Sequence, residues 1–72
     1  MTMRPVVSSN VDSVGYDPAT GSMEIRFRNG GHYRSAGKIP AHLHAGLMAA
    51  ESKGKFWHAH LKGKFEFEKV EE

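Results

Sequence analysis

Met23, Ile25 and Phe27 alternate with Glu24, Arg26 and Arg28. A period of two with one dry side and one charged side predicts a half-buried strand of antiparallel sheet. Upstream, Val11 to Tyr16 reads as another strand, with Val14 and Tyr16 on a common face. The intervening Asp17-Pro18-Ala19-Thr20-Gly21 supplies turn chemistry: proline pre-sets φ and glycine takes a positive one. Downstream, Asn29-Gly30 predicts a two-residue type I′ hairpin, which needs positive φ at both central positions. A third strand should then run from His32 to Ser35, which completes a three-stranded meander.

The period changes after Pro40, a residue suited to a helix's first turn because its missing N–H costs nothing there. Leu43, Leu47 and Ala50 form an apolar stripe at helical spacing, broadened by Met48, and Ser52-Lys53-Gly54 is expected to end that helix. A second short helix is predicted from Lys55 to Lys62, pairing Phe56 with His60 and Trp57 with Leu61, with Gly63 closing it. So short a helix has no stability alone, so its aromatics must pack on something. Phe65-Glu66-Phe67-Glu68 alternates and fits either an edge strand or a docked tail. Residues 1–10, with Pro5 and Ser8-Ser9-Asn10, read as a loose lead-in. The expected fold is therefore α+β: a three-stranded antiparallel β-meander followed by two short α-helices packed on one face.

Seventy-two residues make one small domain with a modest core. The absence of cysteine removes disulfides, thiolate metal sites and a cysteine nucleophile. No run is apolar enough for a signal peptide or a membrane span, so a soluble cytoplasmic protein is expected. The net charge of +2 is unevenly spread. Up to Phe65 nine Lys/Arg face four acids, giving +5; from Glu66 onward four glutamates face only Lys69, giving −3. Glu71 and Glu72 form the acidic tail end. A basic body of this kind suits an anionic partner.

Two groups of side chains follow from that charge. Lys53, Lys55, Lys62 and Lys64 flank Phe56, Trp57 and His58 with no acid between them. Lysines neutralise phosphates while an exposed aromatic stacks a base, worth about 1–3 kcal/mol per base. The competing reading makes the aromatics core and the lysines solubilising, with Trp57 the more exposed of the two rings. Arg26 and Arg28 lie on the polar side of the second strand, and Arg34 on the third approaches the same face, with Glu24 as the counter-charge. Arginine forks suit phosphate or carboxylate; otherwise this is a solvated sheet face.

The five histidines do not make a metal site, since His42/His44 and His58/His60 are two residues apart and point to different sides of a helix. No Ser/His/Asp order, paired carboxylates or phosphate-cradling loop stands out, so an enzyme is not expected, nor a cofactor.

The order of segments resembles the KTSC domain. Those carrying the likeness are Val7-Ser8-Ser9-Asn10-Val11-Asp12-Ser13-Val14-Gly15-Tyr16-Asp17, Met23 through Gly30, Tyr33, Ile39-Pro40, and Ser52 through Phe65. The likeness covers residues 7–70 as a single domain. It implies a small domain of no established activity, found at the C-terminus of certain lysyl-tRNA synthetases and as stand-alone bacterial and phage-type proteins. RNA binding is a role proposed for the family. The family's central Tyr-x-Tyr falls on Tyr33-Arg34-Ser35, so the second aromatic is absent here.

Two functions are therefore expected. The first is a nucleic-acid-binding module for RNA or single strands, with Lys53, Lys55, Lys62, Lys64, Arg26, Arg28 and Arg34 on phosphates and Tyr33 and Trp57 stacking. The second is a protein-interaction module, motivated by the missing tyrosine and by a strand edge at Phe65 to Phe67 that another sheet could extend, such as a phage-type modulator of a host protein.

Overall fold

A computed structural model describes residues 2–70. The acidic tail end, Glu71 and Glu72, lies outside the described residues. The fold is α+β, but the sheet has five antiparallel strands instead of three, in the order β1-β2-β3-β4-β5. They are β1 (Met3–Pro5), β2 (Val11–Asp17), β3 (Ser22–Phe27), β4 (His32–Ser35) and β5 (Phe67–Lys69). Helix α1 (Ala41–Ala49) and helix α2 (Lys53–Phe56), the latter continued by a π-helical turn at Trp57–Leu61, follow β4 and precede β5.

The three central strands follow the period-two pattern. The two additional strands are short and lie at the sheet's edges. Within the expected lead-in, Met3 pairs with Gly15 and Pro5 with Ser13. Pro5 is tolerated because β1 is an edge, where a missing ladder donor is not needed. The alternating Phe65–Glu68 segment resolves in favour of a strand: Tyr33 pairs with Lys69, Arg34 with Glu68 and Ser35 with Phe67.

A bulge in β2, between Val11 and Ser13, shifts the register against β3. It lets Val11 and Val14 both enter the core although three positions apart, an odd spacing that regular alternation would send to opposite faces. The Asn29-Gly30 hairpin forms, but not as type I′. Of the two turn residues only Gly30 has positive φ (99°), and among the described residues no non-glycine residue does. Gly30 N–H donates to the Phe27 carbonyl and Phe27 N–H to the Gly31 carbonyl. This is a three-residue loop, a type I turn followed by a left-handed glycine, and Asn29 Oδ1 braces it by accepting Gly31 N–H at 3.0 Å.

Val14, Met23 and Ile25 of the sheet meet Leu47, Trp57 and Leu61 of the helices, with Ile39 from the connection between them. Tyr16 fixes that connection by donating its hydroxyl to the Ile39 carbonyl at 2.6 Å. Helix α1 stops at Ala49, earlier than the predicted Ser52-Lys53-Gly54 stop. Ser52 instead caps the next helix, its hydroxyl accepting Lys55 N–H at 3.3 Å. Gly54 is therefore buried inside α2, where a Cβ would stand 2.8 Å from Asn10 Nδ2. Gly63, at φ +82°, closes the helical segment as expected.

Candidate functional site

The sheet's two faces carry different chemistry. Cross-strand register places Glu24 opposite Arg34, and Arg26 opposite His32, on the face without helices. Glu24 is not on a solvated face as expected: it is buried beneath its neighbours. Its Oε1 accepts Arg34 Nη2 at 3.0 Å and Nε at 3.3 Å, and lies 3.2 Å from His32 Nε2. Arg26 Nη2 approaches His32 Nδ1 at 3.5 Å. An arginine can only donate, so Nδ1 is the acceptor and the ring's proton belongs on Nε2, facing Glu24. Arg34 and His32 thus close over one carboxylate, and Arg26 flanks His32.

The helix-covered face carries the aromatic cluster. Trp57 packs against Phe27, Tyr33 and Phe67, with ring centroids 5.5, 5.9 and 4.6 Å away. Between this cluster and the segment returning to β5 lies a groove of about 610 Å³, lined by these four rings together with Phe65, Asn29, His58, Lys62, Gly63, Glu66 and Glu68. The π-helical turn helps to shape it. Lys62 N–H reaches back to the Trp57 carbonyl at 2.7 Å, and the wide turn turns both Trp57 and Leu61 into the core. Trp57 is 5% exposed, the reverse of the expectation that it would be more exposed than Phe56. Its size and its three ring neighbours make it the keystone of the cluster. Phe56 stays half-buried and packs against His60, tilted, with ring centroids 4.5 Å apart.

Of the nine residues expected at a nucleic-acid surface, Tyr33, Trp57 and Lys62 meet at the groove. Lys53 is buried, its ammonium donating to the Ala50 carbonyl at 3.0 Å. Lys55 and Lys64 are exposed but do not line the groove. Arg26 and Arg34 lie on the opposite sheet face. Arg28 sits by the β3–β4 hairpin, its Nε donating to the Ser8 carbonyl at 2.7 Å and its Nη1 3.7 Å from Asp12. The cations do not all join the aromatics: Lys62 does, whereas strand alternation sends Arg26 and Arg34 to the far side. Phe27 and Asn29 also line the groove, and no motif in the sequence marks them as site residues. Phe27's place on the dry side of β3 was visible, but its nearness to Trp57 depends on the helices.

The sequence comparisons fit this architecture. The KTSC domain family model matches residues 7–65. This chain belongs to the KTSC domain family. A protein of Tsukamurella paurometabola is 38% identical over 63 residues, which span 88% of this chain and 92% of that one. The crystal structure of a KTSC domain protein from Yersinia pestis superposes with a TM-score of 0.89 at 40% identity, covering 97% of each chain. In this KTSC domain the position of the second tyrosine is taken by Ser35, which is buried, its Oγ accepting Met23 N–H at 2.9 Å. Tyr33 alone of that motif borders the groove.

The sheet edge beside the groove adds a second feature. Ala36 N–H donates to the Glu66 carbonyl and Val70 N–H to the His32 carbonyl. In an antiparallel ladder this makes Arg34/Glu68 the hydrogen-bonded pair, so the N–H and C=O groups of Phe67 and Lys69 point away from β4. Among the described residues no strand lies outside β5. Phe67 therefore both lines the groove and presents free backbone groups.

Proposed function

We propose that this KTSC domain is a peptide-recognition module that takes an extended segment of a partner protein along the outer edge of β5. The observation carrying this reading is the juxtaposition at Phe67 of outward backbone groups and an aromatic groove. Strand addition needs both: main-chain hydrogen bonds give affinity, and a pocket for alternate side chains gives selectivity. The charge distribution supports a peptide over a polyanion. Lys62 is the groove's one lysine, while Arg34 and Arg28 already engage Glu24 and Asp12.

The test is selection of peptides from a random display library against the full chain, followed by amide NMR mapping of an enriched peptide. Shifts concentrated on β5, Tyr33, Trp57 and Lys62 are the expected result. A parallel titration with 12-nucleotide oligouridylate and oligothymidylate serves as the contrast. Oligonucleotide binding that weakens steeply with salt, with no enriched peptide, would replace this reading with the nucleic-acid one.

A further inference from the structure

We infer that the β5 edge selects an antiparallel tripeptide reading, from N- to C-terminus, acidic, then basic, then aromatic or large aliphatic; this rests on the strand-addition reading above. The inference comes from which face each β5 side chain occupies. Phe67 packs on Trp57 on the helix side, and Lys69 pairs with Tyr33, so it shares that side. Glu68 pairs with Arg34 on the helix-free side. A partner strand obeys the same alternation, so each of its residues shares the face of the residue opposite.

An antiparallel partner meets Lys69 first, Glu68 second and Phe67 third. The residue opposite Phe67 falls on the groove side, where Phe65 and Tyr33 offer apolar surface over the buried Trp57. The residue opposite Glu68 falls on the other face. Arg34 there is already bonded to the buried Glu24, and Glu68 is exposed with no ion pair to a described residue, so a partner Lys or Arg completes it. The residue opposite Lys69 gains from an acid in the same way. Antiparallel addition is the orientation of every other pair in this sheet and the more stable per residue.

The same alternation disfavours a second copy of the chain as the occupant. Symmetric antiparallel pairing of two β5 edges through their outward groups, centred on a β5 residue, has three registers. Centred on Phe67, it sets Glu68 against Glu66; centred on Glu68, it sets Glu68 against itself; centred on Lys69, it sets Lys69 against itself. Each opposes like charges, which destabilises cross-strand pairs. The edge is built to refuse itself and accept a complementary sequence.

The test titrates the full chain, isotopically labelled, with three heptapeptides: Gly-Thr-Glu-Arg-Phe-Thr-Gly, its charge variant Gly-Thr-Glu-Glu-Phe-Thr-Gly, and the reversed Gly-Thr-Phe-Arg-Glu-Thr-Gly. The first should bind tighter than the second by about two- to fivefold, the size of one cross-strand charge pair, and tighter than the third. In Glu68→Lys the order of the first two should invert. Since Glu68 is exposed, that variant should fold, and its amide spectrum checks this directly. Equal binding of all three at β5 would overturn the tripeptide rule while leaving strand addition intact. No perturbation of β5 by any of them at millimolar concentration would overturn both.

Discussion

The carboxylate of Glu24 lies 3.0 Å from Nη2 of Arg34 across the β3–β4 ladder, and the two differ sharply in setting: the Glu24 side chain is 11% exposed and that of Arg34 54%. Removing the buried partner should cost more than removing the exposed one. Glu24→Ala removes the buried acceptor of both Arg34 hydrogen bonds, a loss of roughly 1–3 kcal/mol. Arg34→Ala leaves Glu24 with His32 and should cost less. Urea unfolding of the two variants checks the order; a larger loss for Arg34→Ala would contradict the assignment of Glu24 as the hub.

Trp57 should emit as a buried indole, blue-shifted and resistant to aqueous quencher, because only 5% of it is exposed. Trp57→Ala should cost about 3–5 kcal/mol. That is a large share of the stability of a domain this size, and thermal melting would reveal it. Red-shifted, readily quenched emission would reopen Trp57 to a stacking role.

Much of the fold was legible in the sequence, and the exceptions have physical causes. Met23, Ile25 and Phe27 announce β3 because one side of that strand is core and the other polar. β1 has no such alternation; its order comes from the register of Met3 on Gly15, a long-range partner that no local pattern encodes. Phe65 to Glu68 would read the same as a strand or as a docked tail, and only pairing with Arg34 decides. Asn29-Gly30 predicts a hairpin correctly but serves two loop geometries, since a left-handed Gly30 occurs in both. The candidate site was half legible. Tyr33, Trp57 and Lys62 were in view as chemistry, but the arginines' removal to the far face follows from three-dimensional register, and the burial of Lys53 from a bond to Ala50.

Gly46 is required by packing, not by backbone conformation. A Cβ there would stand 2.8 Å from Phe56 Cζ. Gly46→Ala gains about 1 kcal/mol of helix propensity yet should lower the melting temperature, because the Phe56 ring has to move. The double variant Gly46→Ala with Phe56→Leu should recover part of the loss. A Gly46→Ala protein more stable than the parent would show that the ring yields freely.

His44 stacks on Tyr16 with centroids 4.5 Å apart, and its pKa is lowered by burial and then by the nearby charge of Arg4. The unfolded chain therefore binds a proton at His44 more readily than the folded one. Stability from this group rises with pH between the lowered folded midpoint and the ordinary value of 6.5, and is lost as pH falls through that window. Stability should fall less steeply below pH 6.5 in His44→Gln than in the parent. NMR titration of the imidazole checks the cause, and a midpoint at or above the ordinary value would contradict it.

Lys69→Pro decides whether a peptide docks along the outer edge of β5. The Lys69 N–H points away from β4, so proline removes a docking donor without removing a sheet hydrogen bond. The variant should keep the parent's amide spectrum outside β5 and lose affinity for a library-selected peptide by at least about fivefold, the worth of one net hydrogen bond near 1 kcal/mol. Unchanged affinity in a folded Lys69→Pro protein would show that the peptide binds elsewhere.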